Sequence, residues 1–251
     1  MKISPSQVIL AGMAGITNGE FAARFYDTGC LGKVTIGGYS IGKEMINAAV
    51  KSTQRGRTEF MMQLGEEADY IAHELENLTS ISNTIVNVRI NDPEDTKSFA
   101  RELSERISSS PIIEVNAHCR QQEFVENGGG QSLIYRPEIL SHVLSIFKSK
   151  DFTISLKIRG NTVDPRSFAQ LVNNWGVDYL HVDSYQTGMA GTDLNLLTSF
   201  VRFSQTEVIG NNSVVDLESA EAILKTGADY FSVARAATKN NSFFCSLVKD
   251  F

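Results

Sequence analysis

Asn87 and Arg89 stand two residues apart in Ile85-Val86-Asn87-Val88-Arg89-Ile90, and Glu114 and Asn116 do the same around Val115. Lys157 and Arg159 flank Ile158, while His181 and Asp183 alternate with Leu180 and Val182. Side chains of an extended chain point alternately to opposite faces, so each pair shares one face of its run. A parallel strand buried on both faces reads instead as continuous Val, Ile and Leu. If the apolar faces pack on helices, these polar groups converge on one interior. A buried charge without a partner costs too much to be kept idle. Either Glu114, Arg89 and Arg159 satisfy one another as interior ion pairs, or they line a polar ligand site. Four runs sharing one pattern favour the ligand site.

Two later runs end in residues suited to an anion. Val208-Ile209-Gly210-Asn211-Asn212 and Ser232-Val233-Ala234-Arg235 are small and polar at their C-terminal ends. Small residues let a phosphate approach backbone N–H groups, and Arg235 adds charge. Ordinary turn-forming Gly and Asn is the plainer alternative.

These residues need elements to hold them. Short β-rich runs recur at Val8–Ala11, Val34–Gly37, Ile85–Ile90, Ile112–Asn116, Ile154–Ile158, Tyr179–Asp183, Glu207–Gly210 and Tyr230–Ala234. Amphipathic segments lie between them, at Pro93–Ile107, Arg136–Phe147, Pro165–Trp175, Leu194–Phe203 and Leu217–Thr226. Eight strands alternating with helices predict an α/β fold, the closed (β/α)8 TIM barrel, for which about 250 residues is the usual length. The chain has 251, with no low-complexity stretch or composition break, so one domain over 1–251 is expected. More sequence separates the second and third runs than one crossover uses. Phe60, Met61, Leu64, Ile71, Leu75 and Leu78 recur there at helical spacing, which predicts extra helices. Reading Phe60–Leu64 as a strand is the rival. In this fold the catalytic groups and the phosphate loops both come from the C-terminal ends of the strands.

Composition narrows the function classes. A hydrophobic fraction of 42% excludes disorder, and the net charge of −6 does not advertise nucleic-acid binding. The three cysteines, Cys30, Cys119 and Cys245, make no disulfide framework and fit a reducing cytosol. Cys30 and Cys245 read as ordinary small buried residues. No apolar run approaches the ~18 residues of a membrane span, and the N-terminus lacks a secretory pattern. No metal-ligand spacing is evident.

Six segments in order resemble the tRNA-dihydrouridine synthases. They are Leu10-Ala11-Gly12-Met13-Ala14-Gly15-Ile16-Thr17, Glu114-Val115-Asn116-Ala117-His118-Cys119, Gly128-Gly129-Gly130-Gln131-Ser132-Leu133, Leu156-Lys157-Ile158-Arg159, Val208 to Asn212, and Gly227-Ala228-Asp229 through Ala234-Arg235. More loosely, the Asn-x-x-Cys element is similar to dihydroorotate dehydrogenases. The resemblance implies FMN across the barrel mouth, its phosphate held at Gly210, Asn211, Asn212, Ala234 and Arg235. Ala11 and Met13 would pack on the ring, and Asn87 would take the place of a ring-contacting glutamine. Lys157 would face the N1/O2 edge, where a cation favours the anionic reduced flavin. Cys119 falls on the general acid that protonates C5 of a uracil while C6 receives hydride. Asn116 would hydrogen-bond the uracil, with Arg159 as a further substrate contact. NADPH as electron donor, tRNA as partner and a cytoplasmic location complete the expectation.

Four departures bear on it. Arg120 stands where the family has a proline after the cysteine, and Gly12 replaces a proline in the first motif. The His-x-Arg of the sixth strand appears as Asp183-Ser184-Tyr185. Asp183, among the cofactor-binding positions, cannot inherit a role beside phosphate, and is expected to meet substrate or a cation such as Lys157 or Arg159. After the barrel only Ser242–Phe251 remains, one helix's worth, where the family continues into a tRNA-binding domain. Together with the negative charge this weakens tRNA more than FMN. Arg55-Gly56-Arg57 with Lys43 and Lys51 is the nearest basic cluster and reads as a solvated loop. A dihydroorotate-dehydrogenase-like oxidoreductase on a small molecule, with Cys119 as base, and a flavin- or phosphate-binding barrel without catalysis are the alternatives.

Overall fold

A computed structural model describes residues 2–185, 188 and 190–248. Its strands are β1 (Val8–Leu10), β2 (Lys33–Ser40), β3 (Thr84–Arg89), β4 (Ile112–Ala117), β5 (Thr153–Arg159), β6 (Tyr179–Asp183), β7 (Glu207–Asn211) and β8 (Tyr230–Val233). They pair in sequence order, all parallel, and β8 closes on β1. The fold is the (β/α)8 barrel expected from the alternating pattern.

The helices are α1 (Gly19–Tyr26), α2 (Lys43–Gln54), α3 (Glu67–Glu76), α4 (Pro93–Arg106), α5 (Gln122–Glu126), α6 (Pro137–Lys148), α7 (Pro165–Trp175), α8 (Leu194–Phe203), α9 (Leu217–Lys225) and α10 (Phe243–Leu247). Local chemistry sets several starts. Asp92, Asp164, Asp193 and Asp216 each cap a first turn through the side chain, and Pro follows at N1 of α4 and α7. The extra helices between β2 and β3 are α2 and α3. The segment Phe60–Leu64 is neither helix nor strand; Phe60 and Met62 bury while Met61 and Leu64 are exposed. Of the final helix expected over Ser242–Phe251, α10 covers Phe243–Leu247, and residues 249–251 lie outside the described ones.

The apolar strand faces pack on the helices, and the polar faces turn inward in layers. At the N-terminal end of the barrel, Ile9, Ile85, Ile112 and Ile209 form an apolar plug with Tyr179 and Tyr230. Lys33 lies 4.4 Å from the Tyr230 ring centre. Above the plug come Asn87, Glu114, His181 and Ser232, all buried. Asn116, Lys157, Arg159 and Asp183 form the mouth.

One bulge bends β2. Its register against β3 shifts between Gly37 and Tyr39. Gly37 has φ +98°, and a Cβ there would meet the Asn87 carbonyl oxygen at 2.6 Å, so only glycine fits. The Gly38 carbonyl thereby faces the barrel and accepts from Arg89.

Cys30 and Cys245 form a disulfide with Cα atoms 5.0 Å apart, tying α10 to the turn after α1. This corrects their reading as unrelated buried residues, and removes the cysteines as support for a reducing cytosol. A return of the C-terminus to the start of the barrel cannot be seen in two positions 215 apart.

Candidate active site

Glu114, on β4 at the barrel centre, accepts from Asn87 Nδ2 at 2.7 Å, Ser155 Oγ at 2.9 Å and His181 Nδ1 at 2.6 Å. His181 Nε2 lies 2.7 Å from Ser232 Oγ, which in turn accepts from Asn211 Nδ2 at 2.6 Å. Full burial acts to raise the Glu114 carboxyl. The charges of His181 and Lys157 and its hydrogen bonds to His181 and Asn87 overcome this and hold it down to about 2. The centre of the barrel is a fixed anion.

Asn116, two residues on, positions the chain beyond β4. Its Oδ1 accepts from the backbone N–H of His118 at 3.1 Å and of Cys119 at 2.9 Å. Its Nδ2 donates to Asn87 Oδ1 at 2.9 Å. The Cys119 carbonyl also accepts from Gln131 N at 2.8 Å, and a Cβ on Gly130 would lie 2.5 Å from that oxygen. The glycine-rich segment after α5 thus packs against the cysteine turn.

None of the ion pairs imagined among Glu114, Arg89 and Arg159 forms. Arg89 pairs with buried Glu59, from the segment between α2 and α3, and lies 3.9 Å above the Phe124 ring. Arg159 meets Asp183 at 3.2 Å, its register neighbour across β5 and β6. Burial raises the Asp183 carboxyl, but the His118 hydrogen bond and the charges of His118, Arg159 and Lys157 bring it below the usual range. Asp183 therefore finds the cation expected of it, in Arg159 rather than Lys157. Lys157 is buried and has no hydrogen-bond acceptor among the described residues.

Two adjoining cavities open at the strand C-termini. The first, about 470 Å³, is lined by Ala11, Lys157, Arg159 and Asp183, and by the loops Asn211–Val215 and Ala234–Ala236. The second, about 600 Å³, is lined by Asn87, Asn116 and Cys119, with Gly38, Arg57 and Arg89. Gly12, His118 and Arg120 border both. Met13 and Gly210 border neither. Met13 stands within the turn closed by Thr17, and the α-carbon of Gly210 faces outward toward Ile223 and Leu197. Arg57, read as part of a solvated loop, reaches the rim of the second cavity, while Arg55 pairs with Glu123 at 2.6 Å.

The first cavity suits a phosphate at one end. Asn212 and Ser213, in the loop after β7, have φ +110° and +54°. The N–H groups of Asn212, Ser213 and Val214, and those of Ala234, Arg235 and Ala236, find no acceptor among the described residues. The buried Nδ2 of Asn212 and Nε of Arg159 are likewise unpartnered. A buried donor without a partner costs about 1–3 kcal/mol, so donors gathered around one cavity indicate an acceptor-rich ligand. With Lys157 and Arg235 also lining this cavity, the residues fit a phosphate-bearing ring cofactor. Among the described residues, no three His, Cys, Asp or Glu are placed to hold a metal.

His118 is the site residue that the alternation pattern missed. It lies outside any strand, and its only sequence signal is adjacency to Cys119.

A family model described as dihydrouridine synthase (Dus) matches residues 36–249. The "Uncharacterized protein MJ0144" of Methanocaldococcus jannaschii is 34% identical over 239 residues, covering 94% of this chain and 90% of that protein. Among solved structures, the tryptophan synthase complex from Pyrococcus furiosus superposes with a TM-score of 0.61 at 16% identity, covering 99% of this chain and 97% of that one. A FabK mutant from Thermotoga maritima gives 0.59 at 14%, covering 92% and 62%. Likeness at that identity shows the barrel alone. No helix among the described residues is long and apolar enough to cross a membrane.

Proposed function

The chain belongs to the dihydrouridine synthase family, and on that premise we propose that it is an FMN-dependent oxidoreductase acting on a CH–CH group, reducing a uracil-type C5–C6 double bond with Cys119 as general acid. One observation carries the reading. Cys119 is fixed by Asn116 at the wall of one cavity, directly beside a second cavity rich in unpartnered donors.

FMN, when bound, supplies the hydride. Asn211, Asn212, Ala234 and Arg235 would hold its phosphate, Ala11 would lie against the ring, and Lys157 would offer a cation to it. Asn87 is committed to Glu114 and Asn116, so its contribution is to orient those two. Gly210 supports the phosphate loop from behind, and Met13 shapes the turn between Gly12 and Ala14. Asn116 spends both lone-pair directions of its amide oxygen on the cysteine turn, which leaves one N–H for substrate. Its first task is to aim Cys119. The thiol gives its proton to the carbon next to the one that receives hydride. Arg159, held by Asp183, borders the same mouth. Arg57 and Arg120 line the rim that a polyanion such as tRNA would approach. NADPH is the expected donor, and the cytoplasm is the location that goes with a tRNA substrate in this reading.

Purified protein is expected to carry FMN or to take it up with loss of free-flavin fluorescence. A preparation that cannot be loaded with FMN defeats the proposal. Cys119→Ala should keep its flavin and lose about 10²–10⁴-fold in dihydrouridine formed on unmodified tRNA, measured by nucleoside mass spectrometry. Unchanged formation would remove Cys119 as the acid.

A further inference from the structure

His118 presents the geometry of a histidine held for proton transfer. Its Nε2 lies 2.5 Å from Asp183 Oδ2, and Arg159 approaches both, at 3.3 Å from Nε2 and 3.2 Å from the same carboxylate oxygen. An ionised carboxylate only accepts, so Nε2 carries the hydrogen and Arg159 donates to Asp183. Asp183 Oδ1 is engaged too, by the Tyr185 N–H at 3.1 Å. This leaves Nδ1 of His118 as a lone-pair nitrogen with no partner among the described residues. The side chain keeps 26% of its surface open, against 9% for Asp183, and it borders both cavities.

We infer that His118, oriented by Asp183 and through it by Arg159, is a second acid–base residue of the site and carries protons between solvent and Cys119. The inference rests on the reading of Cys119 as the acid. Once the thiol has given its proton to carbon, a thiolate remains. Nδ1 takes a proton from water at the cavity mouth, leaving hydroxide to the solvent, and passes that proton to Sγ. The thiol is restored and the imidazole returns to its neutral form. No electrons move and no other reactant is needed. His118 and Cys119 are consecutive in one turn, and Asn116 pins both of their N–H groups.

The groups that face His118 set its working range. Asp183 on β6 favours the imidazolium. Lys157 and Arg159 on β5 oppose it, as does burial, which is the largest influence and leaves the ring less basic than usual. Arg120 and Cys119 share its own turn, and Arg235 lies across the first cavity. The neutral ring, which burial favours, offers Nδ1 to accept a proton, as a shuttle requires.

Two measurements without flavin or substrate test this. Cys119 is the one cysteine outside the disulfide, so alkylation by iodoacetamide in non-reducing buffer reads it alone. In the wild type the rate should rise with pH in two steps, the lower one belonging to His118, and His118→Gln should show one step. By NMR, Asp183→Asn should lower the His118 midpoint by about one unit, a tenfold change in proton affinity. Circular dichroism establishes that each variant is folded, and His118→Asn serves if His118→Gln is not. Superimposable alkylation profiles, or a His118 midpoint unmoved in Asp183→Asn, overturn the inference. Failure to bind FMN would instead count against the function proposed above and leave these results standing.

Discussion

Glu114 shows how one residue links the barrel's stability to its chemistry. Its folded value of about 2 lies below the roughly 4.3 of a free glutamate, so the network favours the ionised form. A depressed carboxylate adds stability above its unfolded value and loses that stability as pH falls through the folded one. Glu114→Gln should therefore lower the stability of the protein at pH 7, by about the 1–3 kcal/mol that a buried hydrogen-bonding group left without its partner costs. The gap to wild type should close as pH drops from about 4 to about 2. Urea denaturation at neutral and acid pH reads both, and a gap that stays constant would show that Glu114 acts by packing alone. The period-two pattern revealed that Glu114, Asn116, Lys157, Arg159 and Asp183 face inward. It could not give their partners. Strand register brings Asn87 beside Glu114 and Arg159 beside Asp183, while Glu59 reaches Arg89 from a segment with no pattern of its own.

At the scale of elements, the strands were legible because each is a short apolar run bounded by turn residues, and the helices because Asp and Pro mark their starts. The irregular parts were not. Phe60 and Met62 are buried without strand partners while Met61 and Leu64 are exposed, so the apolar spacing there follows neither period through. Gly210, expected at the phosphate, also has a packing task that the sequence does not show. A Cβ there would stand 2.4 Å from Ile223 Cγ2 and 2.9 Å from Leu197 Cδ2, so the glycine lets α8 and α9 close on β7. Gly210→Ala should cost about 1–3 kcal/mol through overpacking. FMN should bind it more weakly, because the shift of β7 displaces Asn211 and Asn212. A drop in thermal midpoint together with a raised Kd for FMN is the expected pair. A loss of FMN affinity with unchanged stability would return Gly210 to direct phosphate contact.

Across the whole molecule, the cross-link and the candidate site occupy opposite ends of the barrel. The two cavities open at the C-terminal ends of the strands, whereas the disulfide lies below the start of β2, between the turn after α1 and α10. Around it Phe25 meets Phe244 edge-on at 5.3 Å, and Phe243 and Leu247 are buried. A helix as short as α10 has little intrinsic stability, so its docking rests on this apolar contact and on the cross-link. Closing a loop that spans 215 positions restricts the unfolded chain over most of its length. Loop-closure entropy gives an upper value of about 5 kcal/mol, and measured bridges usually contribute about 2–4. Cys245→Ser in the Cys30→Ser background should thus lower stability by about 2–4 kcal/mol in denaturant titrations. Cysteine reductants should bring the wild type to the same midpoint. The second half of the prediction concerns function. Because Asn116, His118, Cys119 and Asp183 are held from β4 and β6, FMN affinity and the pH profile of Cys119 alkylation should be unchanged in the double variant below its melting range. Iodoacetamide kinetics at 25 °C decide this, and a profile shifted by loss of the bridge would mean that the two ends of the barrel are coupled.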